Sequence, residues 1–152
     1  MTASIVPTAG VFDGREHVLP VRVYFEDTDF TGVVYHASYV RFCERGRSDF
    51  LRLARIGHQD LLDRDEPVAF AVSRMTLEFR GPARIDEALQ VRTAFDALRG
   101  PRFMISQRIL RDQAVLLTAA VEVVLITLDG RPRRPPKGLV ETLSPWFSTP
   151  AP

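Results

Sequence analysis

A chain of 152 residues fits one domain, since length divided by roughly 150 is a fair prior for domain count. Its 20 Lys and Arg against 19 Asp and Glu leave a net charge of +1, so no whole-chain field recruits nucleic acid or an anionic membrane. A single cysteine, Cys43, excludes an internal disulfide and any zinc cage built on cysteines.

Met1 to His17 mixes Thr, Ser, Gly and Pro with isolated apolar residues and shows no period, which predicts a flexible arm over residues 1–17. It lacks both the basic start and the apolar run of a secretory leader, so a cytoplasmic protein is expected. Val18 to Phe25 is short, aromatic and β-branched and reads as a strand, broken by the polar run Glu26 to Gly32. From Tyr39 the apolar residues fall at Tyr39, Phe42, Cys43, Gly46, Phe50, Leu53 and Ala54, the spacing of one helix face. The opposite face carries charge, and Arg45 stands four residues before Asp49 for an ion pair. Gly46 on the apolar face weakens the helix, which implies close approach of another backbone.

Beyond Pro67 the period drops to two. Met75, Leu77 and Phe79 form one alternating strand, and Leu89, Val91 and Phe95 the next, closed by a turn at Arg99-Gly100-Pro101. Phe103, Ile105 and Ile109 follow, and Ala114 to Leu128 is almost continuously apolar, as in a strand covered on both faces. That last run is 15 residues with Glu122 inside it, too short and too interrupted to cross a membrane. Short turns imply antiparallel neighbours. The expected fold is α+β: a hotdog-like domain over 18–128, with a five-stranded antiparallel sheet wrapped around one long central helix. Residues 129–152, rich in Pro and Arg, are expected as a tail packed on its surface.

The chemistry concentrates in Glu26-Asp27-Thr28-Asp29-Phe30-Thr31-Gly32-Val33-Val34-Tyr35-His36. Three carboxylates in four residues enter the main helix, whose first amides can hold developing negative charge. Such a loop is ordinarily a solvated turn in which Asp side chains satisfy loop amides. Its aromatic and branched neighbours, with the helix start behind it, point instead to a hydrolytic site. Like charges this close are expected to raise the pKa of one carboxyl.

The stretch VRVYFEDTDFTGVVYHASYVRFCERGRSDFL resembles the opening of hotdog acyl-CoA thioesterases of the 4-hydroxybenzoyl-CoA thioesterase type, and is most similar to their Tol-Pal-associated branch. AFAVSRMTLEFRGPARIDEAL and SQRILRDQAVLLTAAVEVVLITLDGRPRRPP fit the same branch, so the likeness covers about Val21 to Pro136. It implies that Asp29, the second acid of the D-x-D pair, is the catalytic carboxylate, as nucleophile or as general base. His36 would lend its amide to the thioester carbonyl and its imidazole to Asp29 or the water. Tyr35 and Ser73 are implied substrate contacts, and Phe25 replaces a tyrosine common in the branch. Arg99 and Arg102 are either a solvated turn or a site for coenzyme A phosphates.

The likeness implies no cofactor, coenzyme A being part of the substrate, and a homodimer or homotetramer with its site between subunits. An association with envelope proteins belongs to the same expectation. No metal is expected, because His17 and His58 read as loop residues without ligand-spaced partners, and Cys43 reads as core. Two other readings compete: hydration of an enoyl thioester on the same fold, and a non-catalytic acyl-CoA sensor or adaptor of an envelope complex.

Overall fold

The computed structural model describes residues 5–7 and 9–149. Its order is β1 (Val11–Asp13), β2 (Glu16–Arg22), α1 (His36–Leu53), α2 (His58–Leu62), β3 (Val68–Phe79), β4 (Ala88–Arg99), β5 (Arg102–Arg111), β6 (Ala114–Thr127) and α3 (Lys137–Leu143). All strand pairs are antiparallel, in the order β1-β2-β4-β5-β6-β3. The alternation seen in the sequence sets the faces: Phe95, Ile105, Val121 and Met75 share one inward row across four strands. The next row, Ala94, Ser106, Ala120 and Thr76, faces outward. β3 closes one side of the sheet, and its outer edge is unpaired among the described residues.

The sheet has six strands, against the five expected. The extra one is β1, which pairs Val11 with Val18 and Asp13 with Glu16 inside the segment expected to be a flexible arm. Three residues are too few to show a period, and the turn at Gly14, with φ of 62°, is a left-handed position that glycine occupies without strain. β2 in turn stops at Arg22, so Phe25 belongs to a short 3-10 turn, Phe25–Asp27, and not to a strand.

α1 runs 18 residues and lies on the inner sheet face, burying Tyr39, Phe42, Cys43, Gly46 and Phe50. Gly46 is where the helix comes nearest the sheet. A Cβ there would stand 2.8 Å from Val91 Cγ1 and 2.9 Å from Thr93 Oγ1. Gly46→Ala gains helix propensity of up to about 1 kcal/mol but overpacks this contact, which costs about 1–3 kcal/mol. The expected net result is a lower urea midpoint, and an unchanged or higher midpoint would refute the close-approach reading.

The Arg45–Asp49 pair does not form. Asp49 is buried and points toward the β1–β2 hairpin, where it accepts the Gly10 N–H at 2.7 Å and meets His17 Nε2 at 2.7 Å. Its other oxygen is held by Arg52. His17, expected at the surface, is fully buried in this cluster.

The C-terminal tail is likewise more than a surface strap. Leu139, Leu143 and Phe147 are buried, Phe147 stacks on Phe103 at 6.3 Å, and Trp146 lies 4.9 Å from Phe12. The proline-rich start of the tail makes one isolated antiparallel bridge, Pro132 to Ile126 of β6, and α3 and the residues after it bring apolar side chains to the core. No helix among the described residues is long and apolar enough to cross a membrane.

Candidate functional site

Backbone hydrogen bonds fold the acidic loop into two linked turns ahead of α1. Asp27 N–H donates to Tyr24 O at 3.0 Å, and Tyr35 N–H donates to Asp27 O at 2.9 Å. The Asp27 carboxylate is buried and accepts the Tyr24 N–H at 2.8 Å. The first acid of the pair is therefore a structural clasp. Two residues on, Asp29 N–H donates to Val33 O at 2.9 Å, and Gly32 N–H returns to Asp29 O at 3.1 Å. Gly32 has φ of 83°, the left-handed conformation that this tight turn needs.

The Asp29 carboxylate is half-buried, and its two oxygens differ. Oδ1 accepts the Thr31 hydroxyl at 2.5 Å and the Thr31 N–H at 2.8 Å, while Oδ2 accepts no hydrogen bond among the described residues. The hydroxyl, and then the amide, of Thr31 favour the ionised form and hold the Asp29 carboxyl below its ordinary value. The upward push expected for one carboxyl of the loop does not fall on Asp29: donors reach it, whereas Asp27 is turned inward. The result is an anion fixed at one oxygen and free at the other. Thr31→Val removes the stronger of the two donors, so the acid limb of any Asp29-dependent activity should move to higher pH. A pH–rate profile reads it, and an unmoved limb would contradict this account.

Asp29 opens onto a shallow depression lined by Phe25, Thr28, Phe30, Gly32 and Ile85. Phe25 and Phe30 are 83% and 101% exposed, so two phenyl rings stand in solvent beside the carboxylate. His36 is the first residue of α1, and its amide belongs to the turn that lacks intrahelical acceptors. Its exposed imidazole lies 4.4 Å from the Tyr35 ring and makes no hydrogen bond to Asp29 among the described residues. The side chain that holds the Asp29 carboxylate is Thr31. The Asp-x-Thr spacing is the signal that was there to be read.

Four other residues singled out from the sequence are placed as follows. Tyr35 is exposed at the helix entrance. Ser73 sits at the bulge of β3, its hydroxyl donating to Glu122 O at 3.2 Å. Arg99 and Arg102 face each other across the β4–β5 turn. The Asp29 loop is tied to the other end of β4, through Val34 N–H to Ala83 O and Asp86 N–H to Val23 O. Twelve residues of strand separate the two ends, roughly 35 Å, so one protomer does not gather these arginines at Asp29. Cys43 is fully buried and desolvation pushes its thiol up to about 11, consistent with a core residue. No group of three or more His, Cys, Asp or Glu converges among the described residues in a way that would hold a metal ion.

The match to a family model described as the thioesterase-like superfamily spans residues 23–147. The acyl-CoA thioester hydrolase YbgC of Escherichia coli is 45% identical over 124 residues, 80% of this chain and 90% of that protein. The acyl-CoA thioesterase YbgC of Haemophilus influenzae is 38% identical over 109 residues, 72% of this chain and 79% of that protein. Among solved structures, a probable thioesterase from Bartonella henselae superposes with a TM-score of 0.77 at 45% identity, covering 80% of this chain and 99% of that one. With its one antiparallel sheet, its α+β content and its acidic loop leading into α1, the chain belongs to the thioesterase-like superfamily of hotdog fold.

Proposed function

We infer that the protein is an acyl-CoA thioester hydrolase, converting an acyl-CoA and water to a carboxylic acid and coenzyme A. Its likeness to acyl-CoA thioester hydrolases over most of its length supports the reaction class. The observation that carries the site is the Asp29 carboxylate, anchored through Oδ1 and open at Oδ2 in the loop that leads into α1. As nucleophile, Oδ2 adds to the thioester carbonyl, the C–S bond breaks, and coenzyme A leaves as thiolate. Water then cleaves the aspartyl anhydride to release the acid. As general base, the same oxygen takes a proton from the water that attacks. In either course the amides at the start of α1 stabilise the oxyanion. A thiol has a pKa near ~8.5, so the leaving group needs no strong acid.

A dimer across the open β3 edge is part of this proposal. The outer edge of this twelve-residue strand, unpaired among the described residues, is one that monomeric proteins normally shield. Antiparallel pairing of two such edges would set the Phe79 end of one β3 beside the Val68 end of the other. The second end carries the row Arg99, Arg102, Val124 and Ala71. Arg99 and Arg102 of the partner subunit would then approach the Asp29 end that their own protomer leaves about 35 Å away.

The test is release of free thiol from a panel of short, long and aromatic acyl-CoAs by the purified protein, with its mass in solution measured alongside. Turnover that ranks the panel supports a hydrolase. Inertness together with tight acyl-CoA binding would favour the sensor or adaptor.

A further inference from the structure

The acidic loop has two sides, and only one belongs to Asp29. Phe25, Thr28 and Asp29 line the depression described above, whereas Tyr24, Glu26 and Asp27 line a separate and larger groove of about 670 Å³. Its far wall is the second half of α1, which contributes Arg45, Ser48, Asp49 and Arg52, a single stripe at helical spacing. Arg22, the last residue of β2, faces them across the opening. Leu19, Val21 and Ile56 provide apolar surface within it.

We propose that this groove binds a phosphate-bearing ligand of the nucleotide type through Arg22, Arg45 and Arg52. It extends the hydrolase reading without depending on the same residues. The groove also holds three acids, but two of them are already committed. Asp27 is buried and accepts the Tyr24 N–H, and Asp49 is buried against Gly10, His17 and Arg52. With Arg52 already holding Asp49 through one arm of its fork, Glu26 is the free carboxylate facing Arg22 and Arg45. Arg45 has no hydrogen-bond or ion-pair partner among the described residues. Arg22 is turned by a bond from Nη1 to Asp86 O at 2.7 Å, which leaves the rest of its fork available.

Arg45 and Arg52 lie seven residues apart, about 10 Å along the helix, a separation suited to more than one phosphate. Planar forked donors match phosphate oxygens, and the exposed Tyr24 ring beside the apolar floor offers a surface for a base. Two sources carry this chemistry: the phosphorylated adenosine of the substrate's own coenzyme A, or a separate nucleotide. In the second case the 24–29 loop, as the shared wall, would couple the groove to Asp29.

Adenosine 3′,5′-bisphosphate is the probe, titrated calorimetrically into the full chain, into Arg45→Ala and into Arg131→Ala, an exposed arginine after β6 that lies outside the groove. The expected result is binding that weakens about tenfold in Arg45→Ala, the loss of one charge-assisted contact, and is unchanged in Arg131→Ala. KM is then compared for an acyl-CoA and for the matching acyl-pantetheine, which lacks the nucleotide. A rise confined to the acyl-CoA in Arg45→Ala assigns the groove to the substrate's own phosphates. Weakened probe binding with both KM values unchanged assigns it to a separate nucleotide. Absence of binding, equal binding in Arg45→Ala, or equal losses in Arg45→Ala and Arg131→Ala overturns the proposal. A protein that cleaves no thioester yet binds the probe through Arg45 would sink the hydrolase reading and leave the groove standing.

Discussion

Asp29→Asn is expected to lower kcat for acyl-CoA hydrolysis by about 10²–10⁴-fold while leaving the fold and the mass in solution unchanged. The amide oxygen still accepts from the Thr31 N–H and hydroxyl, so the turn from Asp29 to Gly32 keeps its hydrogen bonds. What disappears is the negative charge on the second oxygen, the group offered to the thioester or to water. Because Asp29 is only half-buried, the exchange neither opens a cavity nor strands a buried partner. Hydroxylamine trapping of the wild-type protein during turnover separates the two roles. A hydroxamate formed on Asp29 reports an aspartyl anhydride and so identifies a nucleophile, and its absence at full turnover identifies a base. Wild-type rates in Asp29→Asn would remove Asp29 from the mechanism altogether.

The largest expected effect on stability lies elsewhere, at Asp49. Its carboxylate gathers a buried backbone N–H, a buried imidazole and the Arg52 guanidinium. Asp49→Ala strands the buried Gly10 N–H and the His17 imidazole, while the exposed Arg52 turns to water, and breaking a buried polar cluster from one side costs about 3–5 kcal/mol. That is a large part of the roughly 5–15 kcal/mol that keeps a domain folded. A denaturant titration of Asp49→Ala measures it, and a loss below about 1 kcal/mol would show that the cluster contributes little.

The same cluster sets an acid sensitivity. Burial first, and then the nearby Arg52 cation, lower the pKa of His17 to about 4 from its usual 6.5. Above pH 6.5 the imidazole is neutral in both folded and unfolded chains, and its contribution is complete. As the pH falls toward 4 the unfolded chain takes up a proton that the folded chain refuses, so stability is lost by about 1.4 kcal/mol per pH unit. About 3 kcal/mol is gone at the lower end of that window. His17→Gln should flatten the fall in urea midpoint between pH 6.5 and 4 by about one proton. An undiminished slope would place the acid sensitivity elsewhere.

These two centres differ in how far the sequence reveals them. β4 and β5 are legible because each alternates over ten or more residues, β6 as an almost unbroken apolar run and β3 from its alternating second half, and the turns between β4, β5 and β6 are only two residues long. The face of α1 is legible for the same reason, down to the close approach at Gly46. β1 is not, since three residues carry no period and its pairing depends on a hairpin already docked. Nor is the burial of His17, because its partner lies 32 residues away on another element. In the acidic loop residue type and spacing leave the carboxylates unranked, and it is the family resemblance that singles out Asp29. The structure distinguishes the two by direction, Asp27 turned inward as a clasp and Asp29 held at one oxygen with the other open. The Arg99–Arg102 turn shows the opposite limit, a plausible residue type whose distance from Asp29 is set by the length of a strand.

The packing of Trp146 and Phe147 has a consequence for how the protein is made. Phe50, Phe95 and Phe103 form a ring cluster, with Phe50 and Phe95 centred 4.4 Å apart, and Trp146 and Phe147 lie against two of its members. Those covering residues follow every strand of the sheet in the chain. During synthesis the β4–β5–β6 meander can pair through local contacts alone, but one end of the core stays open to water until residues 139–147 have been added. A chain cut before Leu139 would therefore keep its sheet and α1 but expose an aromatic surface, a target for chaperones and proteases.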